Sequence, residues 1–155
     1  MTPEAAKAAG AILVSKDQLF EQPDILTIHL VLSSRTRGLV GAAELERMKS
    51  TALLINASRG PIVEEQALIS VLKNKQIAGA AIDVFDIEPL PPSHPFRTLD
   101  NVLSTPHVAY GTQGLYKTFF EDTVSNIRKW LDTNYPGPVR QHIARFGGEK
   151  DVQQA

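Results

Sequence analysis

Arg59, Glu88 and His107 are the polar residues whose types and spacing suit chemistry together. Each lies just beyond a short, strand-like apolar run. Ala52-Leu53-Leu54-Ile55-Asn56 leads to Arg59, Ala78 to Phe85 leads to Glu88, and Val102-Leu103 leads to His107. Open α/β sheets bind ligands outside the carboxyl ends of their strands. A guanidinium there offers a planar fork that matches a carboxylate, and Ala57, Ser58 and Gly60 leave room for a ligand beside Arg59. A histidine works as general acid or base near neutral pH. A neighbouring carboxylate favours its imidazolium and fixes its tautomer. The trio could therefore bind a carboxylate substrate and move a proton. Taken singly, each has a plainer role: a surface arginine, one acid among 17, a structural histidine. His29 and His94 have no partners as well placed; His29 falls in a buried strand and His94 in a loop.

The elements that must position the trio follow from local pattern. Thr2-Pro3-Glu4 starts a helix that Gly10 stops. Residues 11–14 form a short strand, and Ser15 with Gln18 forms a capping box for a brief helix ending near Pro23. Residues 25–32 are interrupted only by Thr27 and His29, as expected of a parallel strand covered on both faces. A loop over 33–41 and a short helix over 42–48 lead to a strand over 52–56. A helix over 64–75 sets Leu68, Val71 and Leu72 on one face. Next come a strand over 78–84, a loop over 86–100 containing Pro89, Pro91, Pro92 and Pro95, and a strand over 102–104. The longest helix spans about 112–131. Tyr116, Phe119, Phe120, Val124, Ile127, Trp130 and Leu131 line its expected buried face. Alternating strands and helices with short links indicate a parallel α/β sheet.

Composition narrows the function classes. A length of 155 residues fits one domain with a core. The apolar fraction of 43% and charged fraction of 21% are ordinary for a globular protein. A net charge of −1 gives no bulk attraction to nucleic acid or to anionic membrane. The absence of cysteine excludes disulfides and thiolate metal sites. No apolar stretch reaches the length of a bilayer span, and no signal peptide opens the chain, so the cytoplasm is the default compartment.

Three segments together are more specific than any residue alone. Asn56-Ala57-Ser58-Arg59-Gly60, Ala78 to Phe85 running on to Glu88-Pro89, and Asn101-Val102 to Thr105-Pro106-His107 resemble the signatures of the D-isomer-specific 2-hydroxyacid dehydrogenases. They occur in order and at suitable separations, and the resemblance covers about residues 1–140. It implies an NAD(P)-dependent oxidoreductase of D-2-hydroxy acids and 2-keto acids, with NAD or NADP as cofactor. Arg59 would bind the substrate carboxylate, His107 would exchange a proton with the carbonyl oxygen, and Glu88 would pair with His107. Asp83 would face the nicotinamide carboxamide. Leu30, Ala57, Ser58, Arg59, His107 and Ala109 would line the cofactor. Small 2-hydroxy or 2-keto acids are the implied partners, with a possible homodimer and no metal, nucleic acid or membrane. The alternative within the same family is a non-catalytic, dinucleotide-sensing protein resembling its corepressors.

Departures accompany the resemblance. Val31 stands where proline is common, Ala109 and Pro61 where glycine is, and Glu64 where a better-capping aspartate is usual. The glycine-x-glycine-x-x-glycine fingerprint of dinucleotide sites is absent. The expected fold is thus an incomplete Rossmann-type parallel sheet flanked by helices, lacking its first two strands and glycine-rich loop. Residues 1–135 would be the C-terminal part of a dinucleotide-binding domain and 136–155 a partly disordered tail. The chain then reads as a fragment with incomplete cofactor and substrate sites. The strand over 11–14 would stand about three strand spacings, ~14 Å, from that over 25–32, leaving the latter as an exposed edge.

Overall fold

Local capping sets the first two helices of the computed structural model, which describes residues 2–134. The Ala5 amide donates to the Thr2 hydroxyl at the start of α1 (Pro3–Ala8), and Gly10 takes φ +71° just beyond its end. Ser15 and Gln18 close the anticipated capping box on α2 (Lys16–Glu21). The chain then runs through β1 (Ile25–Ile28), α3 (Ala42–Leu45), β2 (Leu53–Asn56), α4 (Glu65–Lys73), β3 (Gly79–Ile82) and β4 (Val102–Ser104). Short 3-10 turns at Gly60–Ile62 and Pro95–Arg97 punctuate the links.

The four strands form one parallel sheet in the order β1-β2-β3-β4. Its register aligns Ile28 with Asn56 and Asn56 with Ile82, so the carboxyl ends of three strands finish level. Successive parallel crossovers have one hand, which puts their helices on one face of the sheet. That face buries Leu26, Ile28, Leu54, Ala80 and Ile82 against Phe20, Leu45, Leu68 and Leu72. Residues 2–109 make one compact unit; residues from Tyr110, carrying α5 (Gln113–Asn134), make a second.

Three expectations are corrected. Residues 11–14 form no strand: Ile12 is 88% exposed and the segment joins no strand ladder among the described residues. A strand exists through its ladder partners, and β1 and β4 are the edges of the sheet. The expected ~14 Å gap between two strands therefore has no counterpart. Second, β1 ends at Ile28 and is buried on one face only, with Ile25 and Thr27 exposed. His29 accordingly lies beyond the strand, exposed and bonded to the Thr27 hydroxyl at 2.9 Å. Third, no residue of α5 is buried; Tyr116, Phe119, Phe120, Val124, Ile127 and Trp130 are all substantially exposed. Helical periodicity defines an apolar stripe, but burial requires an element to cover it. The tail expected over 136–155 lies outside the described residues. Among those described, no helix is long and apolar enough to cross a membrane.

The free edge of β1, with Ile25 exposed beside it, is a template for pairing. Sedimentation velocity of the 155-residue chain is expected to show concentration-dependent association that Ile25→Lys weakens. A monomer at every concentration would contradict this.

Candidate active site

The site is built from the ends of β3 and β2. At the end of β3, Asp83 is only 6% exposed, and its carboxylate is tied to the loop after β4. Oδ1 accepts from the Thr105 hydroxyl at 2.6 Å and from the Val108 amide at 2.8 Å; Oδ2 accepts from the Ala109 amide at 2.9 Å. Burial pushes the Asp83 carboxyl up, but these bonds and the nearby His107 outweigh it and leave it below the ordinary value. The bonds clamp both sides of His107, whose backbone sits in the left-handed region at φ +57°. A non-glycine residue persists there only when its surroundings over-determine it.

The clamped loop presents the His107 ring to Glu88. Nδ1 of His107 lies 2.7 Å from Oε2 of Glu88, and both side chains are partly exposed. The other oxygen of Glu88 accepts from the Phe85 amide at 2.9 Å, which fixes the carboxylate from behind. The His107 bond, then the Phe85 amide, hold Glu88 below its ordinary value against a smaller effect of burial; the charges of His107 and Arg59 add to it. Since Nδ1–H donates to Glu88, Nε2 is the ring nitrogen left to exchange a proton. It has no protein partner among the described residues.

Arg59 enters from the end of β2. Asn56, 2% exposed, shapes this turn: its Oδ1 accepts from the Ser58 amide and its Nδ2 donates to the Arg59 carbonyl. The Ser58 hydroxyl donates to the Ile28 carbonyl at 2.7 Å, joining the turn to the end of β1. The Arg59 side chain is exposed and donates through Nη1 to its own neighbour's carbonyl, that of Ser58. Gly60 lets the turn lie directly on the next strand end. A Cβ there would clash with the Phe85 carbonyl group, so only glycine permits the contact. The structure thus brings Arg59, Glu88 and His107 to one end of the sheet.

The expected cofactor positions divide. Leu30, Ala57 and Ala109 are exposed beyond the strands, and Ser58 is half-buried. Asp83 is committed to the protein's own backbone and hydroxyl groups, so its evident work is to hold the His107 loop. The residues present fit the nicotinamide end of a dinucleotide; a glycine-rich pyrophosphate cradle is not among them. Asn56, Gly60 and Thr105 support the site without having been singled out as positioning groups, although all three stood inside the recognised segments. His94, read as a loop residue with no partner as well placed as those of the trio, lies in that loop and is held by Glu65 at 3.1 Å. No group of three or more potential metal ligands occurs among the described residues.

Residues 1–109 match the sequence model of the D-isomer specific 2-hydroxyacid dehydrogenase NAD binding domain. The chain belongs to that family. It is 50% identical over 96 residues to a glyoxylate reductase of Thermofilum pendens, covering 62% of this chain and 28% of that protein. A D-3-phosphoglycerate dehydrogenase-like oxidoreductase of Ralstonia solanacearum superposes with a TM-score of 0.75 at 40% identity, covering 86% and 39%. A D-isomer specific 2-hydroxyacid dehydrogenase of Xanthobacter autotrophicus, solved with NADPH, gives a TM-score of 0.58 at 43% identity, covering 60% and 30%. The chain therefore spans well under half the length of each. NAD or NADP is the family's cofactor.

Two outcomes test the site's construction. Asp83→Asn replaces one acceptor oxygen with a donor and should cost ~1–3 kcal/mol in urea unfolding. The Glu88 contribution follows from its lowered value: it is full above the ordinary 4.5 and is lost as pH falls through the lowered one. The difference in melting temperature between the native chain and Glu88→Gln should accordingly shrink on acidification below 4.5.

Proposed function

We propose that these residues serve the interconversion of a D-2-hydroxy acid and its 2-keto acid in an NAD(P)-dependent dehydrogenase. The observation that carries this is the 2.7 Å His107–Glu88 pair, with Nε2 of His107 unpartnered among the described residues and Arg59 at the adjoining strand end. When bound, the nicotinamide supplies or accepts the hydride.

The chain's own residues do the rest. Arg59 has donors beyond the one used on Ser58 and can grip the substrate carboxylate bidentately. That grip orients the neighbouring carbonyl toward His107. Nε2 of His107 gives a proton to the carbonyl oxygen in reduction and takes one from the hydroxyl in oxidation. Glu88 keeps the ring in the orientation and tautomer that expose Nε2. Leu30, Ala57, Ser58 and Ala109 form the surface against which the nicotinamide would lie. Asp83 reaches it only through whatever capacity remains on Oδ2.

The test is reduction of glyoxylate, hydroxypyruvate and pyruvate with NADH and NADPH by the longest polypeptide its gene encodes. Turnover is expected, with His107→Ala lowering kcat about 10²–10⁴-fold and Arg59→Ala chiefly raising KM. Cofactor binding without turnover of any 2-keto acid would instead favour a dinucleotide-sensing protein. Lacking the glycine-rich cradle, the 155 residues alone should bind NADH weakly or not at all. Calorimetry showing micromolar affinity would refute that.

A further inference from the structure

A second imidazole–carboxylate pair lies behind the first. His94 lies in the proline-rich loop that carries Glu88, just before its 3-10 turn, and Glu65 stands in the first turn of α4, shortly after Arg59. Nε2 of His94 is 3.1 Å from Oε1 of Glu65, and both side chains are largely buried, at 12% and 19% exposure. Nδ1 of His94 accepts from the Phe96 amide at 3.2 Å, capping the turn at Pro95–Arg97. An accepting Nδ1 has no proton, so the neutral ring carries its proton on Nε2 and donates it to Glu65. One histidine thus closes a cap and a cross-link at once, in a single tautomer.

The contacts run on to the site. The His94 ring packs on Phe96 with centroids 4.9 Å apart, and Phe96, 3% exposed, packs on Phe85 at 6.3 Å. The Phe85 amide is the group that fixes Glu88 from behind. The Arg97 guanidinium holds the carbonyls of Leu90 and Pro91, stiffening the loop between Glu88 and His94.

We propose that His94 is a positioning residue: locked between Phe96 and Glu65, it holds the Glu88 loop onto the segment bearing Arg59 and thereby sets Glu88 against His107. The proposal rests on the functional reading of that trio. Its test needs neither substrate nor cofactor, so the two can fail separately.

The measurement is the imidazole ¹⁵N spectrum of His107 in the 155-residue chain, with Glu88→Gln as the reference for a broken pair. His94→Asn keeps a capping oxygen for Phe96 but is too short to reach Glu65. It and Glu65→Ala should move the His107 resonances most of the way to the Glu88→Gln positions. Glu65→Gln, which still accepts from Nε2, should restore them to the native positions. His107 resonances that stay native in both His94→Asn and Glu65→Ala, while melting temperature falls, would reduce the pair to a structural tie and overturn the proposal. Absence of turnover with every 2-keto acid would reject the functional reading and leave this result standing.

Discussion

A carboxylate buried at the end of a strand has to be compensated or it neutralises. Asp83 is compensated by one hydroxyl and two backbone amides, all from the loop after β4. The constraint works in both directions. The loop's donors keep the acid ionised, and the ionised acid dictates where the loop's backbone must lie. His107 is caught between them, in a conformation that an unclamped histidine would rarely hold. Without this clamp, no strand end would aim the ring at Glu88.

From that point the site is assembled by backbone groups more than by side-chain packing. The Phe85 amide, two residues past Asp83, fixes Glu88. The carbonyl end of the same residue is what Gly60 approaches too closely for any side chain. The β2 and β3 ends are therefore registered against one another through main-chain contact, and Asn56 and Ser58 extend the registration to β1. Main-chain atoms cannot change rotamer. A site held in this way keeps its reactive geometry even with partly exposed side chains, since their anchor points are buried or hydrogen-bonded.

This division explains what was legible in the sequence. Asn56 to Gly60, Asp83 to Glu88 and Thr105 to His107 could be found because each combines an apolar run with a fixed polar ending. The parallel sheet could be found because strand and helix patterns alternate. Burial could not. Residues 11–14 have strand composition but no ladder partner, and residues 25–28 have apolar composition on both faces but cover on only one. The stripe on α5 is similarly plain in the spacing, while its exposure depends on what lies beside it. The His94–Glu65 pair was hidden for another reason: its members are 29 positions apart, and nothing local marks either as a partner.

The uneven accounting of the two kinds of group also bears on how such a site tolerates change. Ala109 in place of a usual glycine contributes only its amide to Asp83, and alanine supplies that amide equally well. Pro61 falls within the 3-10 turn after Arg59, at a position where a missing amide hydrogen is least costly. Glu64 gives no side-chain cap to α4, as expected of glutamate, yet its carboxylate packs against Gly41. These three departures fall where the structure uses the backbone or has room to redirect a side chain. Arg59, Glu88 and His107, the residues proposed to meet a ligand, show none. Turns bonded through the main chain leave side-chain identity free, whereas the chemistry proposed for these three positions depends on the side chains themselves.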